Sequence, residues 1–328
     1  MGRDETRPGH GSRVEPQESI DGVLRDARRV LCVGIGGGGD CVGTLVMADL
    51  ARRFGAEAVC GGITWERRVV DPIPGPRRLS ELSGHEPLND AVAWARPNTT
   101  GPGGFHFAES RLAGVLGEPV LLVDPSGGPA GVAAALDDAC ARLGCDLVAL
   151  IDVGGDVLAV GDEAGLGSPL ADAVMLAAAL HLRTPAVGVV WGAACDGELT
   201  LDEVLERIAA LAAGRALLGT WGPPPGLVPQ LEAAVDAVPT EASAQAVACA
   251  RGEIGTGLIR RGTRSVPLGP VGALAFVFDP VRAVARGAAP LADAVRDAGS
   301  LDDAEAVLAA RGIRTELAYE RELFGAGA

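Results

Sequence analysis

Five short stretches of the 328-residue chain set carboxylates, four of them together with glycines, directly after apolar runs. They are residues 36–40 (GGGGD), 64–67 (TWER), 124–128 (DPSGG), 152–156 (DVGGD) and 192–198 (GAACDGE). Glycine lets backbone N–H groups approach a ligand closely, and carboxylates serve as acceptors, acids, bases or metal ligands. Any one such stretch reads equally well as an ordinary turn, where Gly and Asp are common. Five of them following five strands predict a shared site. Its binding residues would be Gly36, Gly37, Gly38, Gly39, Trp65, Arg67, Asp124, Ser126, Asp152, Gly154, Gly155 and Asp196, and its catalytic carboxylates Asp40, Glu66 and Asp156.

The residue types suggest roles. Trp65 offers a stacking face, Glu66 an acid or base, and Arg67 a bidentate clamp for an anionic group. The alternative is a Trp packed under the Pro-rich loop, with Glu66 and Arg67 paired to neighbours. Asp152, Asp156, Asp162 and Glu163 fall within twelve residues. Acids that close raise one another's pKa or recruit a cation, so Asp152, Asp156 and Asp162 are candidate ligands for Mg²⁺ or Ca²⁺. Asp162 and Ser168 could instead hold a turn or cap the helix that follows. Asp172 lies inside that helix, either facing the sheet edge or simply near its positive dipole end.

Residues 34–39 satisfy G-x-G-x-x-G between a strand and a helix, the context of an NAD(P) site. Two features weaken that match. Gly61 and Gly62 stand where the acid that holds the ribose is expected, and Asp40 stands where a pyrophosphate would meet the helix. The four His follow no metal-binding spacing, and no G-x-S-x-G elbow occurs.

These stretches are positioned by an alternation of strands and helices. Strands are predicted at 29–34, 56–63, 119–123, 147–153 and 185–191, with helices at 42–54, 130–143, 170–182 and 201–213. The alternation predicts an α/β fold, a doubly wound, mostly parallel Rossmann-like sheet with a C-terminal α/β elaboration. In such sheets ligands bind beyond the carboxyl ends of the strands, which is where all five stretches fall. Residues 64–78 carry three Pro and read as a rigid loop, and residues 221–226 (WGPPPG) as a stiff break. Residues 227–250 read as mostly helical, 273–278 as a further strand. The expected organisation is a disordered tail (1–20), a Rossmann-like core (21–220) and a C-terminal extension packed on it (221–328).

Composition narrows the chemistry. The chain has no lysine, so its 28 basic residues are all Arg. A Walker A loop, pyridoxal phosphate and Schiff-base catalysis each need a lysine and are excluded. A net charge of −15 opposes binding to nucleic acid or an anionic membrane. Seven Cys without a CxxC, an N-terminus without an apolar run and no apolar stretch of membrane-spanning length predict a reduced, cytoplasmic protein.

Three segments together carry a resemblance: VGIGGGGDCVGT at 33–44, GGITWERRVVDPIPGPRRLSEL at 61–82 and IDVGGDVLAVGDEAGLGSPLADAVML at 151–176. They resemble the domain-of-unknown-function family 1152 of archaeal and actinobacterial proteins, over roughly residues 28–320. The resemblance implies one Rossmann-like unit with a C-terminal elaboration. The family's repeated features would correspond to Gly36–Asp40, Trp65–Arg67, Asp71, Arg77, Asp152–Asp156, Asp162, Ser168 and Asp172. It brings no catalytic assignment.

The leading expectation is an enzyme that binds a nucleoside, nucleotide or other ribosyl compound and cleaves or transfers at its N-ribosyl bond, using carboxylates to stabilise an oxocarbenium-like charge. The alternatives are an NAD(P)-dependent oxidoreductase and a non-catalytic ligand-binding protein. The expected partner is a small-molecule substrate, with no nucleic acid or membrane partner; a homo-oligomer stays open.

Overall fold

The computed structural model describes residues 19–326, so almost all of the expected N-terminal tail lies outside the described residues. Ser19 caps the first helix, its hydroxyl accepting from the Gly22 N–H. In chain order the elements are α1 (Ile20–Asp26), β1 (Arg29–Gly34), α2 (Asp40–Arg53), β2 (Glu57–Ile63), β3 (Glu86–Pro87), β4 (Val92–Ala95), α3 (Ala108–Leu116) and β5 (Val120–Val123). There follow α4 (Gly128–Leu143), β6 (Leu147–Val153), α5 (Pro169–Ala178), β7 (Ala186–Trp191), α6 (Leu201–Ala213), β8 (Leu217–Trp221), α7 (Val228–Ala237) and α8 (Glu241–Ala250). The chain closes with β9 (Gly255–Ile259), β10 (Arg264–Leu268), β11 (Ala275–Phe278), α9 (Pro280–Ala285), α10 (Pro290–Val295), α11 (Leu301–Ala310) and α12 (Glu316–Ala326).

Nine strands form one sheet in the order β3-β4-β5-β2-β1-β6-β7-β11-β8. The five central strands, β5 to β7, are parallel. Antiparallel strands extend both sides, β3 and β4 on one and β11 and β8 on the other. The doubly wound α/β sheet expected from the alternation is thus present. Residues 273–278 supply β11, which pairs with β7 and β8 inside the main sheet.

Uniformly apolar strands require cover on both faces. Alternate residues of β1 point to opposite sides: Leu31 and Val33 join a core with α4, α5 and α10, while Val30 and Cys32 join one with α2, α7 and α8. β6 is buried at all seven positions. Among the described residues no helix is long and apolar enough to cross a membrane.

The chain winds outward from β1 through β2 to β5, then returns to the other side of β1 for β6 and β7. This reversal leaves a crevice between the ends of β1 and β6, because the connections leaving these neighbours run to opposite faces. Residues 36–40 and 152–156 flank it.

Candidate functional site

The loop after β1 is held by its neighbours. Ile35 N–H donates to Ile151 O (2.9 Å), and Gly38 N–H to Trp65 O (3.0 Å), tying together the ends of β6, β1 and β2. Gly37 has φ +81°, and a Cβ there would meet the Trp65 carbonyl oxygen at 2.6 Å. Only glycine fits this close approach. A Gly37→Ala chain is expected to lose about 2 kcal/mol or more of stability in urea melts, from left-handed strain plus displacement of the Trp65 backbone.

The end of β6 is tied to that of β7. Gly154 N–H donates to Trp191 O (3.0 Å), and Ala194 N–H to Gly154 O (2.7 Å). A Cβ on Gly154 would run into the Asp196 carboxylate, so this glycine makes room for the acid beside it.

These loops enclose a cavity of about 110 Å³ at the switch point. Ten acids line the cavity: Asp40, Glu66, Asp152, Asp156, Asp172, Asp196, Glu198, Glu241, Glu316 and Glu320. Two arginines accompany them, Arg67 and Arg260. Arg67 is exposed and forms no ion pair among the described residues. Arg260, in the β9–β10 turn, reaches Glu198 at 3.0 Å, while its backbone N–H donates to Glu241 (2.8 Å), so the hairpin is pinned to the cavity wall.

Of the residues expected from the sequence, Gly36, Gly37, Gly38, Asp40, Trp65, Glu66, Arg67, Asp152, Asp156 and Asp196 line this cavity. Asp124 and Ser126 do not. They follow β5, which β2 separates from the switch point, and the Asp124 carboxylate accepts the Ser126 N–H at 2.9 Å to cap its own turn. Four loops converge rather than five. Gly39, Gly154 and Gly155 lie behind the wall, packed against Thr240, Asp196 and Val204. Asp162 is exposed and outside the cavity, which removes it from the candidate metal ligands. Ser168 makes no side-chain cap; its hydroxyl donates to Glu198 (2.6 Å) instead.

Trp65 differs from its expected role. It is 4% exposed, packs in the core and donates its indole N–H to Glu320 at 3.2 Å. It is a wall of the cavity and lacks the open face that stacking on a base requires. Glu320 also accepts the Gly75 N–H (2.8 Å), so α12 pins the Trp65 loop and the Pro-rich loop together. One turn earlier, Glu316 accepts the N–H groups of Leu170 and Ala171 (3.0 and 2.8 Å), capping α5 from another part of the chain. Asp71 and Arg77 form a buried ion pair at 3.0 Å, and Arg77 also donates to the carbonyls of Ile73, Pro74 and Gly75. The pair clamps the Pro-rich loop and lies outside the cavity lining.

Glu316, Glu320, Glu241 and Arg260 escaped the sequence reading. Acids one helical turn apart, as in ELAYE, ordinarily mark a solvated face, and an arginine in a hairpin turn carries no local signal.

Burial governs the electrostatics. It pushes Asp40 up to about 7, against the opposing effects of the Gly36 N–H and the Arg67 charge. Glu66, 7% exposed, is pushed up to about 7 by burial, opposed by the Ala108 N–H at 2.5 Å and by Arg67. Asp196 rises to about 7 through burial and the charge of Glu198, and Glu316 to about 8 through burial. Asp152, Asp156 and Asp172 are raised well above the usual carboxylate range, by burial first and then by neighbouring charges: Asp40 and Asp196 act on Asp152, Asp172 and Asp152 on Asp156, and Asp152 and Asp40 on Asp172. Clusters of raised carboxyls in a cleft are characteristic of functional sites, although structural networks also produce them.

The carboxylates fall into two trios, Asp40, Asp152 and Asp172, and Asp156, Asp196 and Glu198; within each, ligand atoms lie within 4.8 Å of one another. Either trio has the oxygen-only donor set of a hard cation. Asp40 also bears on the dinucleotide reading. Its Oδ2 accepts the Gly36 N–H at 2.9 Å, and the Gly38 N–H is taken by Trp65 O. Two backbone donors that a pyrophosphate would use are therefore engaged within the protein, and a carboxylate stands over the helix end that would attract it.

A family model matches residues 31–324, nearly the whole chain. The chain belongs to the family described as Protein of unknown function (DUF1152). The three motif segments that carry the resemblance all fall within the match and supply most of the cavity wall. No curated protein and no solved structure matches the chain.

Proposed function

We propose that this DUF1152 protein is an enzyme acting on a nucleoside, nucleotide or related ribosyl compound, with hydrolysis or transfer at the N-ribosyl bond. The observation that carries the reading is the meeting of ten acids and two arginines around one cavity at the switch point of the sheet. Carboxylates accept hydrogen bonds from sugar hydroxyls and stabilise the positive charge that develops on the ring as the glycosidic bond breaks.

In the hydrolytic form, the bond between the anomeric carbon and the base nitrogen breaks, and its electron pair leaves with the base. Glu66, raised towards neutrality, donates a proton to that nitrogen. Asp40 and Asp156 face the cationic ring or its hydroxyls. Water adds to the anomeric carbon and gives its proton to a cavity carboxylate. Arg67, exposed and without an ion pair among the described residues, suits an anionic group on the substrate. The NAD(P) reading finds less support, because Asp40 and Trp65 O engage loop donors that it needs. The seven cysteines are all unpaired, which suits a reducing cytoplasmic setting.

The test begins with mass spectrometry of small molecules released on denaturing the purified protein, beside a thermal-shift screen of nucleosides, nucleotides and NAD(P)H. A ribosyl ligand at a hundred times its Kd is expected to add about 2.7 kcal/mol to stability. With a substrate in hand, the double variant Asp40→Asn, Asp156→Asn is expected to lose turnover. Full turnover by that variant removes the reading, and stabilisation by NAD(P)H alone replaces it with the oxidoreductase.

A further inference from the structure

We propose that Asp40, Asp152 and Asp172 form a binding site for one hard divalent cation at the switch point between β1 and β6. The three residues come from three elements: the first turn of α2, the end of β6 and the first turn of α5. Their ligand oxygens lie within 4.8 Å of one another. None of the three is ion-paired among the described residues, where Arg67 is exposed at the mouth and Arg260 is engaged with Glu198.

The second observation is Asp172. It is 1% exposed, lines the cavity, and its Oδ1 is buried without a hydrogen-bond partner among the described residues. A buried polar atom left without a partner carries a desolvation cost, and a charged one costs more. Asp152, also 1% exposed, accepts the Val157 N–H at a long 3.4 Å and lies beside the Asp156 carboxyl. Asp40 accepts the Gly36 N–H at 2.9 Å through Oδ2, and the Val153 N–H also bears on its carboxylate. Gly36 makes the gathering possible: a Cβ there would stand 2.7 Å from Asp40 Oδ2 and 2.9 Å from Asp172 Oδ2. Three buried carboxylates that converge beside a glycine, none of them ion-paired among the described residues and one with an unpartnered oxygen, have the acceptor pattern that a cation satisfies.

The donor set chooses the metal class. It is oxygen-only, with no His or Cys, which favours Ca²⁺, Mg²⁺ or Mn²⁺ over Zn²⁺ or Cu²⁺. The second trio is a poorer site. Glu198 already accepts from Gly167 N, Ser168 N and Ser168 Oγ, and pairs with Arg260. We therefore assign one cation. Positions on it left open towards the cavity would take adjacent hydroxyls of a ribosyl ligand, a part of the inference that rests on the function proposed above.

Calorimetric titration of the EDTA-stripped chain with Ca²⁺, Mg²⁺ and Mn²⁺, without substrate, tests the site. The expected result is one cation per chain, with affinity weakened at least about tenfold in Asp172→Asn and within about threefold of wild type in Asp196→Asn, on the scale of losing one charged ligand. Stripped Asp172→Asn is also expected to melt no lower than the stripped wild type, since it removes a like charge from a buried cluster. Absence of binding by the wild type up to about 1 mM of all three ions overturns the proposal, whether or not the variants fold. Equal binding by wild type and Asp172→Asn does so too. Because no substrate is present, failure here leaves the ribosyl reading to its own turnover test.

Discussion

On the function proposed above, a Glu66→Gln chain is expected to turn over an N-ribosyl substrate about 10²–10⁴-fold more slowly than wild type, the range associated with losing a positioned general acid. The substitution is conservative where the fold is concerned. Glu66 accepts the Ala108 N–H through one oxygen, and the glutamine carbonyl can accept the same bond, so α3 keeps its first-turn contact. What is lost is the transferable proton. Since burial places Glu66 near 7, the wild-type rate should fall as pH rises through neutrality, and that limb should vanish in the variant. The measurement is a pH–rate profile of both proteins with circular dichroism as the check on folding. A Glu66→Gln enzyme within a few-fold of wild type, with the same profile, would give Glu66 a structural role only.

The second large effect is a loss of stability as the stripped protein is taken to alkaline pH. Glu66 and Asp196 are raised to about 7 and Glu316 to about 8 in the folded chain, against roughly 4 when unfolded. Between these values the native state binds more protons than the unfolded state, so stability declines with rising pH. The contribution is complete below the unfolded pKa values and is lost as pH passes through 7 to 8. Each such group contributes up to about 1.4 kcal/mol for every pH unit between its two values. A melting temperature lower by about 5–10 °C at pH 8.5 than at pH 5.5, in EDTA, is the expected outcome. Restoration by a divalent cation at pH 8.5 would join this result to the proposed Asp40, Asp152 and Asp172 site. A melting temperature that rises over the same interval would show that these carboxyls are already ionised in the fold.

Apolar runs were the most legible part of the chain. The strands at 29–34 and 147–153 and the helix at 201–213 coincide with β1, β6 and α6 to the residue. Each is long enough, or sharply enough capped, for periodicity to define it; Thr200 and Glu203 form a capping box at the start of α6. The edges of the sheet were not legible. β3 has two residues, β8 carries Gly219, and the β9–β10 hairpin alternates buried with exposed positions without a strong apolar pattern. Such strands are specified by the partner they pair with more than by their own residues. Residues 227–250, read as mostly helical, form α7 and α8 on either side of Pro239, with Thr240 capping α8. A proline inside a helix removes a backbone N–H and clashes with the preceding turn, so the helical stretch breaks there.

For the site, the sequence by itself determined that glycines and acids follow the central strands, that these strands are parallel and buried, and that no lysine chemistry is available. Residue order and hydrophobic pattern suffice for those conclusions, because both act locally along the chain. Tertiary structure decided which loops share a cavity. The strand order puts the ends of β1 and β6 side by side and sets Asp124 two strands away from β1. It brings Glu316 and Glu320 of α12 to α5 and the Trp65 loop across more than 140 residues of sequence. It also removes Asp40, Asp152 and Asp172 together from water, which alters their acidity. Solvent exclusion and charge repulsion depend on distance in space, and separation along the chain does not record that distance.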